Sequence, residues 1–461
     1  MRRENEFRYL QLAHILKEQI LSGFIKPGEF LMSENELCKY YGMSRTSVRK
    51  SLEQLLKEGL IVKKVGQGTI VSPDLVLETP KNKVLRIFTT TPSNFFDHCM
   101  PFLIEEFQKE NPHVEVKCLP FSSGDYWESI RTSVELGLQP DLIFLSDQQF
   151  GAAENLNQFA DLQGPLSGHS DSIYSRLRDA FSYEGRLKAL PVTFSTVYLA
   201  YNPDLFQRYG VAEPSEHWTK EDFLKAAKQL TMDTNGDGIS DLYGLTLSSA
   251  LSRWPAIALQ NGVQFKSADI LRAMTKTLEF LHELLYIHRA AMLSTRPELI
   301  FEAFMKEKTA MVLTTSIELA GWTAEAIEFT PKVAPLPFGD LKDTLLIANA
   351  FMVPSGSNEP ELANRFMQKA IEPAVQERFS RMDGFISVLP SINEEVWSSS
   401  LLESLHIHQK TIENSYFLHE MFDDVNIVDE IQKEMVLYWA GLYSAAEMAE
   451  HMEHILSKAS E

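Results

Sequence analysis

Cysteine is nearly absent from this chain: Cys38, Cys99 and Cys118 are the three in 461 residues, and no two stand at a CxxC spacing. An odd number so placed argues against a disulfide framework and against a zinc ribbon. No run reaches the ~18–20 uninterrupted apolar residues of a membrane helix. The opening MRRENEFRYLQLAHIL has charges but no apolar core segment and no small-residue cleavage site, so no secretory signal is expected. These absences point to a cytoplasmic protein with no membrane partner. Positive charge is scarce too, with 43 Lys and Arg against 63 Asp and Glu and a formal net charge of −20. The deficit is uneven. Residues 1–74 carry twelve basic and nine acidic side chains, a net +3, which leaves −23 on the remainder. A mildly basic head on an acidic body indicates a division of labour. The length exceeds what one hydrophobic core serves, so two or three domains are expected.

In the head, residues 7–23 (FRYLQLAHILKEQILSG) place Leu10, Ala13, Leu16, Lys17 and Ile20 at helical spacing, with Gly23 as a stop. Ser33 followed by Glu36 is a capping box for a second helix that ends near Gly42. Ser44 caps a third helix running to about Glu58, with Gly59 past its end. On that helix Val48, Leu52 and Leu55 form the apolar stripe. Arg45 and Arg49 share another face, with Thr46 and Lys50 beside them, near an N-terminus whose dipole attracts phosphate. LIVKKVGQGTIVS reads as a hairpin with its tip at Gly66, Gln67 and Gly68 and with Lys63 and Lys64 leading in. Three helices and a basic hairpin in this order make a winged helix-turn-helix.

The segments GFIKPGEFLMSENEL, YGMSRTSVRKSLEQLLKEGLI and GQGTIV resemble the GntR family of bacterial transcription regulators. The resemblance implies contacts to double-stranded operator DNA from Ser44, Arg45, Thr46 and Arg49, with the wing at Gly66 to Gly68 near the minor groove. Ser33, Lys50, Lys63, Lys64 and Gln67 complete the candidate DNA-binding set. Met32 stands where the family usually has proline, and Asn35 where it usually has a DNA-contacting arginine.

A Pro-bounded polar linker (75–83) separates this head (1–74) from a body (84–461) that alternates strands and helices: VLRIFT, FFDHCMPFLIEEFQKENP, VEVKCLPF, DYWESIRTSVELGLQP, DLIFL. That order predicts a parallel, doubly wound sheet, with a ligand at the carboxyl ends of its strands. PDLIFLSDQQFG, ALPVTFSTVYLAYNPDLFQRYGV, HWTKEDFLKAAKQLTMDTNGDGISDLYGL, FEAFMKEKTAMV, VAPLPFGD and GLYSAAEMAEHMEHIL resemble the type 1 extracellular solute-binding proteins, the sugar receptors of bacterial uptake transporters. The resemblance implies a two-lobed α/β clamp of the periplasmic-binding-protein type II (Venus-flytrap) class. By position, its cleft residues are Ser93 and Asn94, then Gly124, Asp125 and Tyr126, then Asp147, with Trp254, Trp322 and Asn349 from the second half. The tryptophans are candidates because an aromatic face stacks on the apolar face of a sugar ring. Ile317 occupies the place where the family usually has a cleft tryptophan.

DTNGDGISD sets side-chain oxygens at Asp233, Asn235, Asp237 and Asp241 around Gly238, an EF-hand-like spacing, but its twelfth position is Gly244 and not a bidentate glutamate. A weak calcium site and a self-bonded loop are both compatible with it; no other cofactor is expected. The whole reads as a homodimeric transcription regulator, not an enzyme, whose body senses a small-molecule effector, a carbohydrate by resemblance. The alternatives are a body that only dimerises the heads and a body with pyridoxal-phosphate chemistry, for which no lysine and phosphate cradle stands out.

Overall fold

The computed structural model describes residues 2–21, 25, 27–41, 43–64, 68–75, 83–266, 270–323, 328–422 and 425–458. Gly66, Gln67 and most of the linker lie outside them. Packing divides the chain into two compact units: residues 1–84 with 112–115 and 128–140, and residues 85–111, 116–127 and 141–461.

The head consists of α1 (Arg2–Leu21), α2 (Glu34–Tyr40), α3 (Arg45–Lys57) and an antiparallel hairpin of β1 (Ile61–Lys64) and β2 (Gly68–Val71). The caps read from the sequence are present. Ser33 and Glu36 close a full capping box on α2, and Ser44 accepts the Ser47 amide at the start of α3. Val48, Leu52 and Leu55 are buried against Leu12, Leu16 and Ile20 of α1. Ala13, Leu16 and Ile20 of the expected stripe are buried and Leu10 is exposed; Leu12, Ile15 and Gln19 widen the inward face of α1. Ser51 Oγ donates to the Tyr9 carbonyl at 2.7 Å and fixes α3 on α1.

The body has eleven strands to consider: β3 (Lys83–Thr91), β4 (Val114–Ser122), β5 (Leu142–Ser146), β6 (Ala189–Thr196), β7 (Tyr198–Tyr201), β8 (Tyr243–Ser248), β9 (Ala291–Ser294), β10 (Thr309–Thr314), β11 (Lys332–Ala334), β12 (Leu345–Met352) and β13 (Tyr416–Phe417). The helices that matter for the site are α4 (Asn94–Glu110), α5 (Tyr126–Glu135), α6 (Asp147–Gly151) and, later, α7 (Ser316–Thr323). One lobe holds the sheet β13-β12-β5-β3-β4 with β6 against β12; the other holds β9-β8-β10-β7-β11. The βαβ strands run parallel (β3 with β5, β8 with β9 and β10). β7 runs antiparallel to β10 and β11, and β12 runs antiparallel to β5 and β6 but parallel to β13; β7 and β12 begin where the chain changes lobe. Each sheet is therefore mixed, not purely parallel.

Three passages between the lobes are laced together at one place. The Val197 amide, between β6 and β7, donates to the Leu345 carbonyl at 2.9 Å. Thr344 Oγ1 donates to the Val197 carbonyl at 2.8 Å, and the Thr344 amide donates to Ser415 Oγ at 3.1 Å. Every backbone polar group spent here is one that a hinge buried under two lobes would otherwise leave unpaired.

Candidate functional site

The head displays its cations on one face. Arg45 and Arg49 are more than half exposed, and both direct Nε at the same Glu34 oxygen of α2, at 3.3 and 2.9 Å. The Arg49 hydrogen bond holds the Glu34 carboxyl below its usual range against the opposing effect of burial, with Arg45 adding to the lowering. Since Nε is spent on Glu34, the terminal guanidinium nitrogens face outward, the geometry that serves bidentate contact with a guanine or a phosphate. Thr46 is exposed one residue from Arg45. Lys50 sits over the Tyr9 ring at 5.5 Å, and Lys63 and Lys64 are exposed on β1. Gly68 adopts φ 127°, open to glycine alone in practice, where β2 begins. Ser33 and Ser44 act on their own helices as caps.

In the body, the lobes meet where α4 approaches α7. Asn94 Nδ2 donates to the Ile317 carbonyl at 3.1 Å, and a Cβ on Gly321 would lie 2.4 Å from the Asn94 side chain. The Ser316 amide donates to Ser195 Oγ at 2.8 Å. Beside this contact lies a cavity of about 440 Å³ lined by Tyr198, Tyr201, Ser316 and Lys332 of the second lobe and by Ile386 and Trp397 of the first. Tyr198 OH, Ser316 Oγ and Trp397 Nε1 are buried with no hydrogen-bond partner among the described residues.

Two buried polar side chains of the first lobe also hold an oxygen without a partner among the described residues. Asp147 is 1% exposed; its Oδ1 accepts the Ala348 amide at 3.0 Å, and its Oδ2 has no partner among the described residues. Asn349, paired with Ser146 across β12 and β5, likewise has an unfilled Oδ1. Burial pushes the Asp147 carboxyl up to about 7 against the pull of the Ala348 amide; Glu420 adds to the rise and Arg253 opposes it. Arg253, from the other lobe, pairs with Glu318 of α7 and also acts on Tyr198. The cavity thus joins aromatic faces to buried polar atoms without partners among the described residues, a mix that suits a solute cleft.

Several residues expected in the cleft are elsewhere. Tyr126 is buried and donates to the Phe144 carbonyl at 2.5 Å. Trp254 is fully buried in the second lobe's core beside Trp439, and Trp322 packs on Phe301 and Phe304. Trp254 stands just before the helix Pro255–Gln260 and Trp322 lies on α7, and both rings serve packing. Ser93 caps α4 by accepting the Phe96 amide at 3.3 Å, while Gly124 and Asp125 are exposed before α5. Asn94 bridges the lobes through its bond to Ile317, while Asp147 and Asn349 are buried in the first lobe with an unfilled oxygen each among the described residues. Tyr198, Ser316 and Trp397 had no signal in the sequence beyond residue type.

The 233–241 loop is bonded to itself. Asp233 accepts the amides of Gly236 (2.6 Å) and Gly238 (2.7 Å), and Asp241 accepts the Thr234 amide (2.8 Å) and hydroxyl (2.7 Å). Asn235 Oδ1 accepts the Asp237 amide, and Asp237 accepts the Ile239 amide. The Gly238 amide, chief among these donors, holds Asp233 below the ordinary carboxylate range. The carboxylates of the loop are thus engaged by its own amides, and among the described residues no group of three or more His, Cys, Asp or Glu converges as metal ligands.

Fold and site together define a two-lobed solute clamp joined to a winged helix-turn-helix. The profile of bacterial extracellular solute-binding proteins matches residues 103–403, and that of bacterial regulatory proteins of the gntR family matches residues 8–71. The chain belongs to the bacterial extracellular solute-binding protein family and carries a gntR-type head. An ABC substrate-binding protein of Listeria monocytogenes, solved in complex with cycloalternan, superposes with a TM-score of 0.69 at 19% identity, over 82% of this chain and 99% of that one. An uncharacterized HTH-type transcriptional regulator of Bacillus subtilis (strain 168) is 42% identical over 71 residues, 15% of this chain and 29% of that protein. The arabinose metabolism transcriptional repressor of Geobacillus stearothermophilus is 38% identical over 92 residues, 20% of this chain and 25% of that protein. The chain thus spans less than a third of either curated relative, and the shared part is the head. No helix among the described residues is long and apolar enough to cross a membrane.

Proposed function

We propose that this protein is a cytoplasmic transcription regulator that reads operator DNA as a homodimer and adjusts its grip when a carbohydrate enters the inter-lobe cleft. The observation that carries the reading is the joining, in one chain, of a gntR-type head that presents Arg45 and Arg49 to a solute clamp whose cavity has buried, partnerless polar atoms. Ser44, Arg45, Thr46, Arg49 and Lys50 would meet the major groove, and Lys63, Lys64 and the Gly66–Gly68 tip the flanking backbone. Two half-sites about one helical turn apart make affinity sensitive to small changes in head separation, so cleft closure has a short route to DNA binding. The sugar-bound state of the similar clamp and the sugar-regulatory name of the arabinose repressor both favour a carbohydrate effector. The reading assigns no catalysis to the body and no metal to the 233–241 loop.

A thermal-shift screen of the full chain against mono- and oligosaccharides tests the sensor half, since a ligand at 100 times its Kd adds about 2.7 kcal/mol. Selection from a random duplex pool tests the DNA half. A screen without any shift leaves the body as a dimerisation module.

A further inference from the structure

We infer that Phe30 and Met32 lay a non-ionic contact on the operator, against the deoxyribose faces of the strand that runs between the groove read by α3 and the groove met by the wing. This rests on the DNA reading of the head and adds to it a pair of residues that carry no charge.

Residues 28–31 run along the wing as a third strand. The Gly28 amide donates to the Val71 carbonyl at 3.0 Å, the Val71 amide to the Glu29 carbonyl at 2.9 Å and the Leu31 amide to the Thr69 carbonyl at 2.9 Å, with Phe30 bridged to Ile70. Phe30, Leu31 and Met32 are 55%, 7% and 42% exposed. The alternation sends Leu31 into the core of the head and sets Phe30 and Met32 on the opposite, outer side. A Cβ on Gly68 would lie 3.6 Å from the Phe30 ring, so the ring covers the residue where the tip rejoins β2. On its other side Gly68 is paired with Lys64 of β1. Met32 in turn leads into Ser33 and Glu34, and Glu34 holds Arg45 and Arg49. The apolar pair therefore spans the stretch between the arginines of α3 and the lysine of the wing.

A lone exposed leucine is ordinary on a protein surface. Two large apolar side chains side by side, with exposed cations at both ends, are continuous with the DNA face of the head, and water around them forgoes stabilisation that a partner recovers. When α3 enters the major groove and the wing the neighbouring minor groove, one sugar–phosphate strand passes between them. Its phosphates meet Arg45, Arg49 and Lys64. Apolar atoms gain nothing from phosphate oxygens, and the apolar surface such a strand offers is the C–H face of its deoxyribose rings. The contact also answers a shortage of charge. A head at net +3 has few cations to spend on phosphate, and burial of Phe30 and Met32 adds affinity that salt does not screen. Every nucleotide carries that face, so the contribution is the same for any sequence, and the choice of bases is left to α3.

The test uses the full chain with a duplex selected by it from a random pool and a random duplex beside it, in fluorescence anisotropy over a salt series. Phe30→Ala should weaken binding to both duplexes about tenfold and Met32→Gln about threefold, with the slope of log Kd against log salt unchanged. Phe30→Leu, which keeps an apolar side chain, should recover most of the loss. Lys64→Ala is the contrast, and should flatten that slope by about one. Because Met32 is exposed, Met32→Gln should melt with the parent, so its loss of affinity is read free of any unfolding that Phe30→Ala causes. Parent-like affinity in both Phe30→Ala and Met32→Gln overturns the inference and leaves the DNA reading standing. A loss confined to the selected duplex overturns it too, since that marks a contact to a base. A parent that enriches no duplex removes the DNA reading, and this inference with it.

Discussion

At the scale of single residues, Asp147 has the most unusual setting. Its carboxyl, pushed to about 7 by burial, keeps a proton in the folded chain over a pH range where the unfolded chain has released it. The folded state then binds more protons than the unfolded state between about pH 4 and pH 7, so stability falls as pH rises through that window and the penalty is complete above it. Asp147→Asn keeps an oxygen to accept the Ala348 amide and removes the ionisation. The variant should melt a few degrees above the parent at pH 8 and level with it at pH 4, by differential scanning calorimetry. A parent that gains stability from pH 5 to pH 8 relative to the variant would place the carboxylate in a favourable ion pair instead. The head offers a second residue-level case. Because Glu34 spends the Nε of both arginines, Glu34→Gln frees two guanidiniums to rotate and removes a negative charge beside phosphate. Exposed pairs contribute little stability, about 0–1 kcal/mol, so the melting temperature should hold. Discrimination between selected and random duplexes should fall while binding to random DNA tightens, in fluorescence anisotropy at fixed salt. Arg45→Ala and Arg49→Ala should each cost about 1–3 kcal/mol of specific affinity if bidentate to a base.

At the scale of elements, what the sequence makes legible is what is local. The boxes at Ser33 and Ser44 and the stripe at Val48, Leu52 and Leu55 need only a few neighbouring positions to be read, and the head follows from them. The direction in which a cleft aromatic turns is not local. Trp254 and Trp322 sit on helices whose inner faces are decided by sheets and helices far along the chain, and the aromatics that do reach the cavity, Tyr198, Tyr201 and Trp397, come from opposite lobes. The 233–241 loop makes a related point: residue spacing does not say whether a carboxylate points at a cation or back at its own amides, and here Asp233 accepts the amides of Gly236 and Gly238. Calcium or a chelator should accordingly leave the melting transition within a degree, and sub-micromolar calcium affinity by calorimetry would contradict that geometry. The α4–α7 contact is the element that limits closure. With a Gly321 Cβ only 2.4 Å from the Asn94 amide, Gly321→Val must displace that side chain and break its bond to Ile317. Effector affinity should drop about tenfold, ~1.4 kcal/mol, and small-angle scattering should give a larger radius of gyration.

At the scale of the whole molecule, the charge division and the hinge have to be considered together. A body at −23 disfavours DNA relative to the +3 head, so the proposed dimer would gain affinity by pairing two heads. The hinge at Val197, Thr344 and Ser415 joins both lobes through all three passages, so closure moves each lobe as a rigid piece and not by local loosening. If that movement reaches the heads, the effector and the operator are linked ligands, and linkage is reciprocal: whatever factor the effector applies to DNA affinity, DNA must apply to effector affinity. The measurement is a pair of titrations on the full chain, effector into protein by calorimetry with and without a selected duplex, and duplex into protein by anisotropy with and without saturating effector. For a sensor both should change by the same factor, within the ~5–150-fold range usual for such coupling. A body that only holds two heads together gives a factor of one in both titrations, with effector binding intact.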